Sequence, residues 1–159
     1  MQRLFIAILL ILLSSTSLSS PLHNNGISIN NIEYWGEYSF EKFGTSEVNY
    51  EWVFNKSSST LIIIKSECKS CKPFDESNVA EINTIDDFNV SALLINHKYG
   101  NGIYQIHKHS KNINFLIFKI FHKGYYYKFQ LGIPNNTNQS VFFEQSIEFL
   151  RTINSFTIF

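Results

Sequence analysis

Two cysteines, Cys68 and Cys71, carry the most distinctive chemistry of the chain. In an exported protein a Cys-x-x-Cys pair is most often a short-loop disulfide. The same spacing supports thiol–disulfide exchange when a helix N-terminus lowers the pKa of the first thiol. The apolar run Leu61 to Lys65 precedes the pair, Pro73 follows it, and Ile133-Pro134 could serve as the proline loop, an order superficially like that of a thioredoxin active site. However, only a β-meander is predicted from Ala92 onward, with no crossover helix before Pro134, and a helix rather than a hairpin is predicted after Pro134. We expect a structural disulfide. The alternative is a thiol–disulfide oxidoreductase with Cys68 as nucleophile and Cys71 as resolving thiol; metal binding or free thiols are further options.

A second chemical pattern is the pair His107 and His109. Their i, i+2 spacing places both imidazoles on one side of a strand, where they can chelate a transition metal. His97 and His122, the natural third ligands, fall on the opposite face or at its rim. We therefore expect ordinary sheet histidines, with no metal and no cofactor, and keep a metal site at His107 and His109 as a weak alternative.

Patterns of other catalytic classes are missing from the sequence. There is no Gly-x-Ser-x-Gly elbow and no glycine-rich phosphate loop. The segment Ala92 to Ile133 contains four histidines and no acidic residue that could orient one of them. These absences favour a protein that is not an enzyme. Four sequons, a number that chance explains in so Asn-rich a chain, offer glycosylation sites at Asn55, Asn89, Asn135 and Asn138.

The elements that position these residues are clearest between Ala92 and Ile133. Turn signals at Tyr99-Gly100-Asn101-Gly102, Ser110-Lys111-Asn112 and His122-Lys123-Gly124-Tyr125 separate β-branched and aromatic runs. The pattern predicts a four-strand antiparallel meander. Side chains alternate across a sheet, so parity assigns each residue to a face. The core face is entirely apolar or aromatic: Ile95, Tyr104, Ile106, Leu116, Phe118, Ile120, Tyr125, Tyr127, Phe129, Leu131 and Ile133.

The second face of this sheet has a mixed character and is the candidate binding surface. Its members are Ile103, Gln105, His107, Phe115, Ile117, Lys119, Phe121, Tyr126, Lys128 and Gln130. Lys119 and Lys128 should lie opposite each other, an arrangement that is destabilising unless an anion or water separates them. With Phe121, Tyr126, His107 and Gln130, they suit recognition of a protein or an anionic ligand. Its mixed composition predicts a face that is at most half covered. The alternative interpretation is that a loop or the acidic N-terminal segment covers the lysines and aromatic residues.

The flanking segments complete an α+β domain. After Pro134 and a polar turn, a helix is predicted from about Ser140 to Ile153, with an inward stripe of Phe142, Ser146, Phe149, Leu150 and Ile153. Upstream, residues 48–54 alternate as a strand, Leu61 to Lys65 form a central strand, and residues 75–87 favour a short helix. The expected fold is an antiparallel sheet packed by the C-terminal helix, with an α/β/α sandwich as its fuller form.

The segment from Asn112 to Phe159 resembles the end of PsbP-like domains. In that family an aromatic hairpin carries a Tyr-rich strand that ends near a proline, here Pro134, followed by a helix that closes in a Ser-Phe pair, here Ser155-Phe156. Most PsbP-like domains are accessory or assembly factors that bind other proteins and share no catalytic residues. The resemblance therefore implies a binding role and supplies no site.

The N-terminus predicts the compartment. Met1-Gln2-Arg3, the ten apolar residues Leu4 to Leu13 and the small residues Ser14 to Ser20 have the three-part build of a secretory signal peptide. We expect cleavage before Ser20, which leaves one α+β domain over residues 20–159, secreted or periplasmic, with no stable membrane span.

Charge is distributed unevenly along the chain. Residues 33–87 hold eleven acids and five lysines, whereas residues 92–133 hold six lysines and no acid. Two arginines in the whole chain, Arg3 and Arg151, argue against nucleic acid as a partner. The basic half is expected to neutralise the acidic half or to face an anionic partner.

Overall fold

The structure, a computed structural model, describes residues 22–44, 49–83, 89–108 and 112–159. The predicted signal peptide and its cleavage site lie outside the described residues. The described chain is mostly antiparallel β-sheet with two α-helices, which confirms the α+β prediction. The helices are α1 (Glu76–Asn83) and α2 (Gln139–Ser155).

Two sheets organise the described residues. Their strands are β1 (Leu22–Asn24), β2 (Ile27–Ile29), β3 (Tyr38–Phe43), β4 (Asn49–Lys56), β5 (Ser59–Glu67), β6 (Asn89–His97), β7 (Gly100–Lys108), β8 (Ile113–His122), β9 (Tyr125–Pro134) and β10 (Thr157–Ile158). The small sheet has the order β1-β2-β10, and the seven-stranded sheet has the order β3-β4-β5-β9-β8-β7-β6. Neighbouring strands are antiparallel throughout the described residues.

The main hydrophobic core lies between the core face of the large sheet, helix α2 and the small sheet. Phe118, Phe129, Leu131 and Ile133 are buried there, and Tyr104, Ile106 and Tyr125 pack against the same cluster. The rings of Phe129 and Phe156 meet edge to face with centroids 5.0 Å apart. Alternating apolar residues at period two thus produce the buried side of the sheet, as parity predicted.

The C-terminal helix is rotated relative to its predicted orientation. Its first turn is capped by Asn138, whose side chain accepts a hydrogen bond from Ser140 N at 2.9 Å. The prediction that Leu150 faces the core is wrong, because Leu150 is 43% exposed. Two polar residues, Gln145 and Thr152, are buried instead. They accept hydrogen bonds at 2.8 Å from Ser59 Oγ and from Trp35 Nε1, respectively, so specific polar contacts set the rotation.

The turn between β6 and β7 also differs from its predicted place. Lys98 and Tyr99 form it, because His97 pairs with Gly100, whereas the sequence pattern favoured Gly100-Asn101 as the turn centre. Gly100 has φ +118° and supplies the unusual backbone conformation at the start of β7. The ring of Tyr99 packs edge to face on Phe156, which anchors the turn on the core.

Candidate functional site

The two predicted lysines of the second face lie where parity placed them. Lys119 on β8 pairs directly with Lys128 on β9, and both side chains are half-buried. The flanking partners are apolar: Ile103 on β7 stands opposite Lys119, and Ile64 on β5 stands opposite Lys128. The two lysines therefore occupy the middle of one row of residues across the sheet, between two isoleucines.

No ion pair in the described part of the chain compensates the charges of these two lysines. Among the described residues the ion pairs are Lys69–Glu67 and Arg151–Glu148, and neither involves Lys119 or Lys128. Burial lowers the pKa of Lys119, and the charge of Lys128 lowers it further. Burial also lowers the pKa of Lys128, while the negative charge of Glu51, two strands away on β4, acts in the opposite direction.

Next to the lysines, two polar groups are buried without a hydrogen-bond partner. They are Gln105 Oε1 and His107 Nε2, on the same side of β7. Burial lowers the pKa of His107, and the charges of Lys119 and Lys128 lower it further, which favours the neutral imidazole. In the described part of the chain, the pair of lysines thus adjoins two buried polar atoms whose hydrogen-bonding capacity is unused.

The covering of the second face is uneven. Ile103, Gln105 and Ile117 are at most 6% exposed, so the expectation of a face at most half covered is wrong on the side near β6. Helix α1 lies against β6 there. At the opposite end, the ring of Phe74 meets that of Tyr126 edge to face at 6.3 Å. The segment that leads from the disulfide to α1 therefore crosses part of this face.

Phe121 and Tyr126, the predicted aromatic members, pair directly at this end. Both are half-buried, and burial raises the pKa of Tyr126 to about 12. Its phenol is neutral at physiological pH and can act as a hydrogen-bond donor.

At the far end of β9, the second face contains a shallow groove next to Gln130. The groove has a volume of about 110 Å³ and is mostly apolar. Its floor is Gly132, where a Cβ atom would lie 3.2 Å from the ring of Phe115. The missing side chain thus lets the Phe115 ring lie close over the strand and shapes the wall of the groove.

The two cysteines are joined as a disulfide with Cα atoms 5.5 Å apart. Cys68 continues the β5 ladder, since its N–H donates to Gly124 O at 2.8 Å. Helix α1 begins at Glu76, five residues after Cys71. Pro134 lies at the opposite end of β9 from Gly124, about 30 Å away at the usual rise per residue. The cysteines therefore lie neither at a helix N-terminus nor near Pro134, as a thioredoxin-like active site would require.

The histidines are dispersed. His97 Nε2 lies 3.3 Å from Ile153 O, and His122 Nδ1 lies 3.1 Å from Tyr99 O. His109, half of the alternative metal site, lies outside the described residues. Within the described ranges no group of three potential metal ligands comes together.

The sequon residues lie mostly at the surface. Asn55 and Asn135 are exposed. Asn138 is exposed as well, but its Oδ1 is engaged in capping α2. Asn89 begins β6, and its side chain lies outside the described part of the structure.

Sequence reasoning missed one unusual side chain, Lys65. It projects from the core face of β5, is 8% exposed, and donates a hydrogen bond to Asn25 O at 2.7 Å. Its ammonium group also lies 4.4 Å from the centroid of the Tyr125 ring. Burial lowers its pKa. A lysine at the end of an apolar run gives no signal of this environment, because the contacts come from β1–β2 and from β9.

No protein-family model matches the chain, and a search of curated proteins returns no similar sequence. Among the described residues, neither helix is long and apolar enough to cross a membrane.

Proposed function

We propose that the protein is an exported, non-enzymatic binding domain that holds an anionic group of its partner on the second face. The observation that carries the proposal is the direct pairing of Lys119 with Lys128, half-buried and without an ion pair among the described residues. Like charges opposed in this way destabilise a sheet, and an anion between them turns the repulsion into two attractive contacts. Functional sites often reduce stability, so the destabilising repulsion between the two lysines is a reason to assign them to a binding function.

The neighbouring groups favour a ligand that offers more than a charge. His107 lies half-buried on one side of the lysines, and Tyr126 presents a neutral phenol on the other. A carboxylate or phosphate group is the simplest ligand for the lysines. The groove at Gly132, about 13 Å from Lys128 along β9, can take an apolar part of the same partner.

The finer architecture belongs to the same proposal. We take residues 92–133 as a four-strand meander that forms the binding platform, with α2 on its core face and α1 toward the other, which gives an α/β/α sandwich. The chain order of β6, β7, β8 and β9 in the sheet and the contact of α1 with β6 support this assignment. A role as an accessory protein of PsbP-like type fits it.

Isothermal titration calorimetry with inorganic phosphate and with a short glutamate peptide tests the proposal. The wild-type protein should bind at least one of them, and Lys119→Glu/Lys128→Glu should lose that binding. Lys108→Glu/Lys123→Glu is the matched control, because both of its lysines are exposed and the net charge changes equally. Equal loss in both variants, or no binding by the wild type, would refute the second face as an anion site.

The alternative, a thiol–disulfide oxidoreductase, rests on the bonded pair Cys68–Cys71, which lies in a partly exposed loop. Its reduction potential separates the two functions. A potential more reducing than about −300 mV is expected for a structural disulfide, and one near about −200 mV for an exchange catalyst.

A further inference from the structure

The two edge strands of the large sheet differ in whether their free backbone groups have a hydrogen-bond partner. Strand β6 has its free backbone capped: the Asn83 side chain accepts from Ala92 N at 2.9 Å and donates to Ala92 O at 3.3 Å. An amide that imitates a neighbouring strand in this way prevents further pairing at that position. Strand β3, at the other edge, is exposed at all six of its residues.

The outward backbone groups of β3 can be identified from the ladder. In a regular antiparallel sheet, the N–H and C=O groups of one residue point to the same side, and successive residues alternate. Ala92 points outward from β6, and the bonds from Cys68 N to Gly124 O and from Asn135 N to Asn112 O fix the same alternation further along. When this alternation is followed from strand to strand through the pairings, the backbone groups of the even-numbered residues of β3 point away from the sheet. These residues are Tyr38, Phe40 and Lys42. No described segment hydrogen-bonds to them.

We propose that β3 is the pairing edge for a second copy of this chain, in an antiparallel arrangement centred on Phe40. In such a pairing the outward-pointing residues of one copy, which are even-numbered, must face those of the other copy. In an antiparallel register the two residue numbers of every facing pair add up to the same value, and that value must therefore be even. A sum of 80 places Phe40 opposite Phe40 of the second copy, Tyr38 opposite Lys42, and Ser39 opposite Glu41.

Charge selects this register over its neighbours. A sum of 82 would oppose Glu41 to Glu41 of the second copy, and a sum of 78 would oppose Glu37 to Glu41; both are destabilising. The register centred on Phe40 has no such pair. It also brings Lys42, whose ammonium already lies 5.8 Å from the Tyr50 ring of its own chain, beside the exposed ring of Tyr38 from the other copy. The exposed aromatic side of β3 is thus covered by its own counterpart.

Sedimentation equilibrium of the purified protein with two variants of Ser39 tests the interface. In the proposed register Ser39→Lys faces Glu41 of the other copy and strengthens the dimer, whereas Ser39→Glu repels it. Two symmetric contacts predict shifts of the dimer dissociation constant of about two- to thirtyfold in opposite directions. Thermal unfolding of both variants checks that the monomer fold is kept.

Amide hydrogen exchange supplies a second readout. Protection at Phe40 and Lys42 should increase with protein concentration, whereas the odd-numbered amides that bond to β4 should change little. A protein that is monomeric at every accessible concentration overturns the proposal. A dimer that Ser39→Lys and Ser39→Glu affect in the same direction, without new protection at Phe40, uses a different surface and overturns it as well.

Discussion

Replacing one lysine of the Lys119–Lys128 pair should stabilise the folded protein. The two residues are direct cross-strand neighbours, so their Cβ atoms lie about 4.5–5.5 Å apart, and like charges so placed cost about 0.2–1 kcal/mol. Half-burial and the apolar neighbours Ile103 and Ile64 place the cost in the upper part of that range. Lys128→Met keeps the apolar stem and removes the charge. We expect the free energy of unfolding at pH 7 to rise by about 0.5–1 kcal/mol, which corresponds to a melting temperature higher by about 2–5 °C.

The pH dependence of this effect has a definite sign. Both lysines have a pKa below the ordinary value of 10.5, so the folded state holds fewer protons than the unfolded chain as the pH approaches that value. The stability of the wild type therefore rises over that window, and the advantage of Lys128→Met shrinks. Above the ordinary lysine pKa the lysines are neutral in both the folded and the unfolded state, so the part of the difference between wild type and Lys128→Met that comes from charge repulsion vanishes.

Chemical denaturation of four proteins measures the coupling. These are the wild type, Lys119→Met, Lys128→Met and the double variant. Either single change relieves the repulsion, so the second should add little, and the two effects should not be additive. Lys108→Met, at an exposed position, is the control and should stay within about 0.5 kcal/mol of the wild type. Destabilisation by both single changes, or simple additivity, would refute the reasoning that the lysines repel each other.

Three further substitutions test other parts of the structure. Ser59→Ala leaves the buried Gln145 Oε1 without its donor and should lower the free energy of unfolding by about 1–3 kcal/mol in urea denaturation; a loss below 0.5 kcal/mol would contradict the buried contact. Gly102→Ala places a Cβ atom 2.5 Å from the Phe118 ring and should cost about 1–3 kcal/mol or more, so an unchanged melting temperature would show that the packing is wrong. Because the pKa of Lys65 is lowered, the free energy of unfolding of the wild type should rise as the pH approaches 10.5. Lys65→Met should lose that part of the rise. Parallel curves of unfolding free energy against pH for the two proteins would contradict the burial of Lys65.

The sequence predicted those features that depend on local periodicity. Alternating residues define both faces of the sheet, which is why the sequence alone pairs Lys119 with Lys128. Features set by distant segments were not accessible in this way. The inward rotation of α2 depends on hydrogen bonds to Ser59 and Trp35, far away in sequence, and hydrophobicity alone therefore favoured Leu150.

The candidate site shows the same division between local and distant information. Its lysines and aromatic residues follow from strand parity. The unsatisfied atoms of Gln105 and His107, however, depend on how deeply β7 is covered. The groove at Gly132 depends on the position of β5 beside β9, which no local pattern specifies.

The most direct test of the proposed anion site is a pH titration of the lysine side chains, followed by NMR, with and without a short glutamate peptide. The lysine side-chain signals report the pKa of each ammonium group. An anion seated between Lys119 and Lys128 must raise both values from their lowered positions, while exposed Lys108 and Lys123 should move little. An equal small shift at all four lysines would instead contradict a site on the second face.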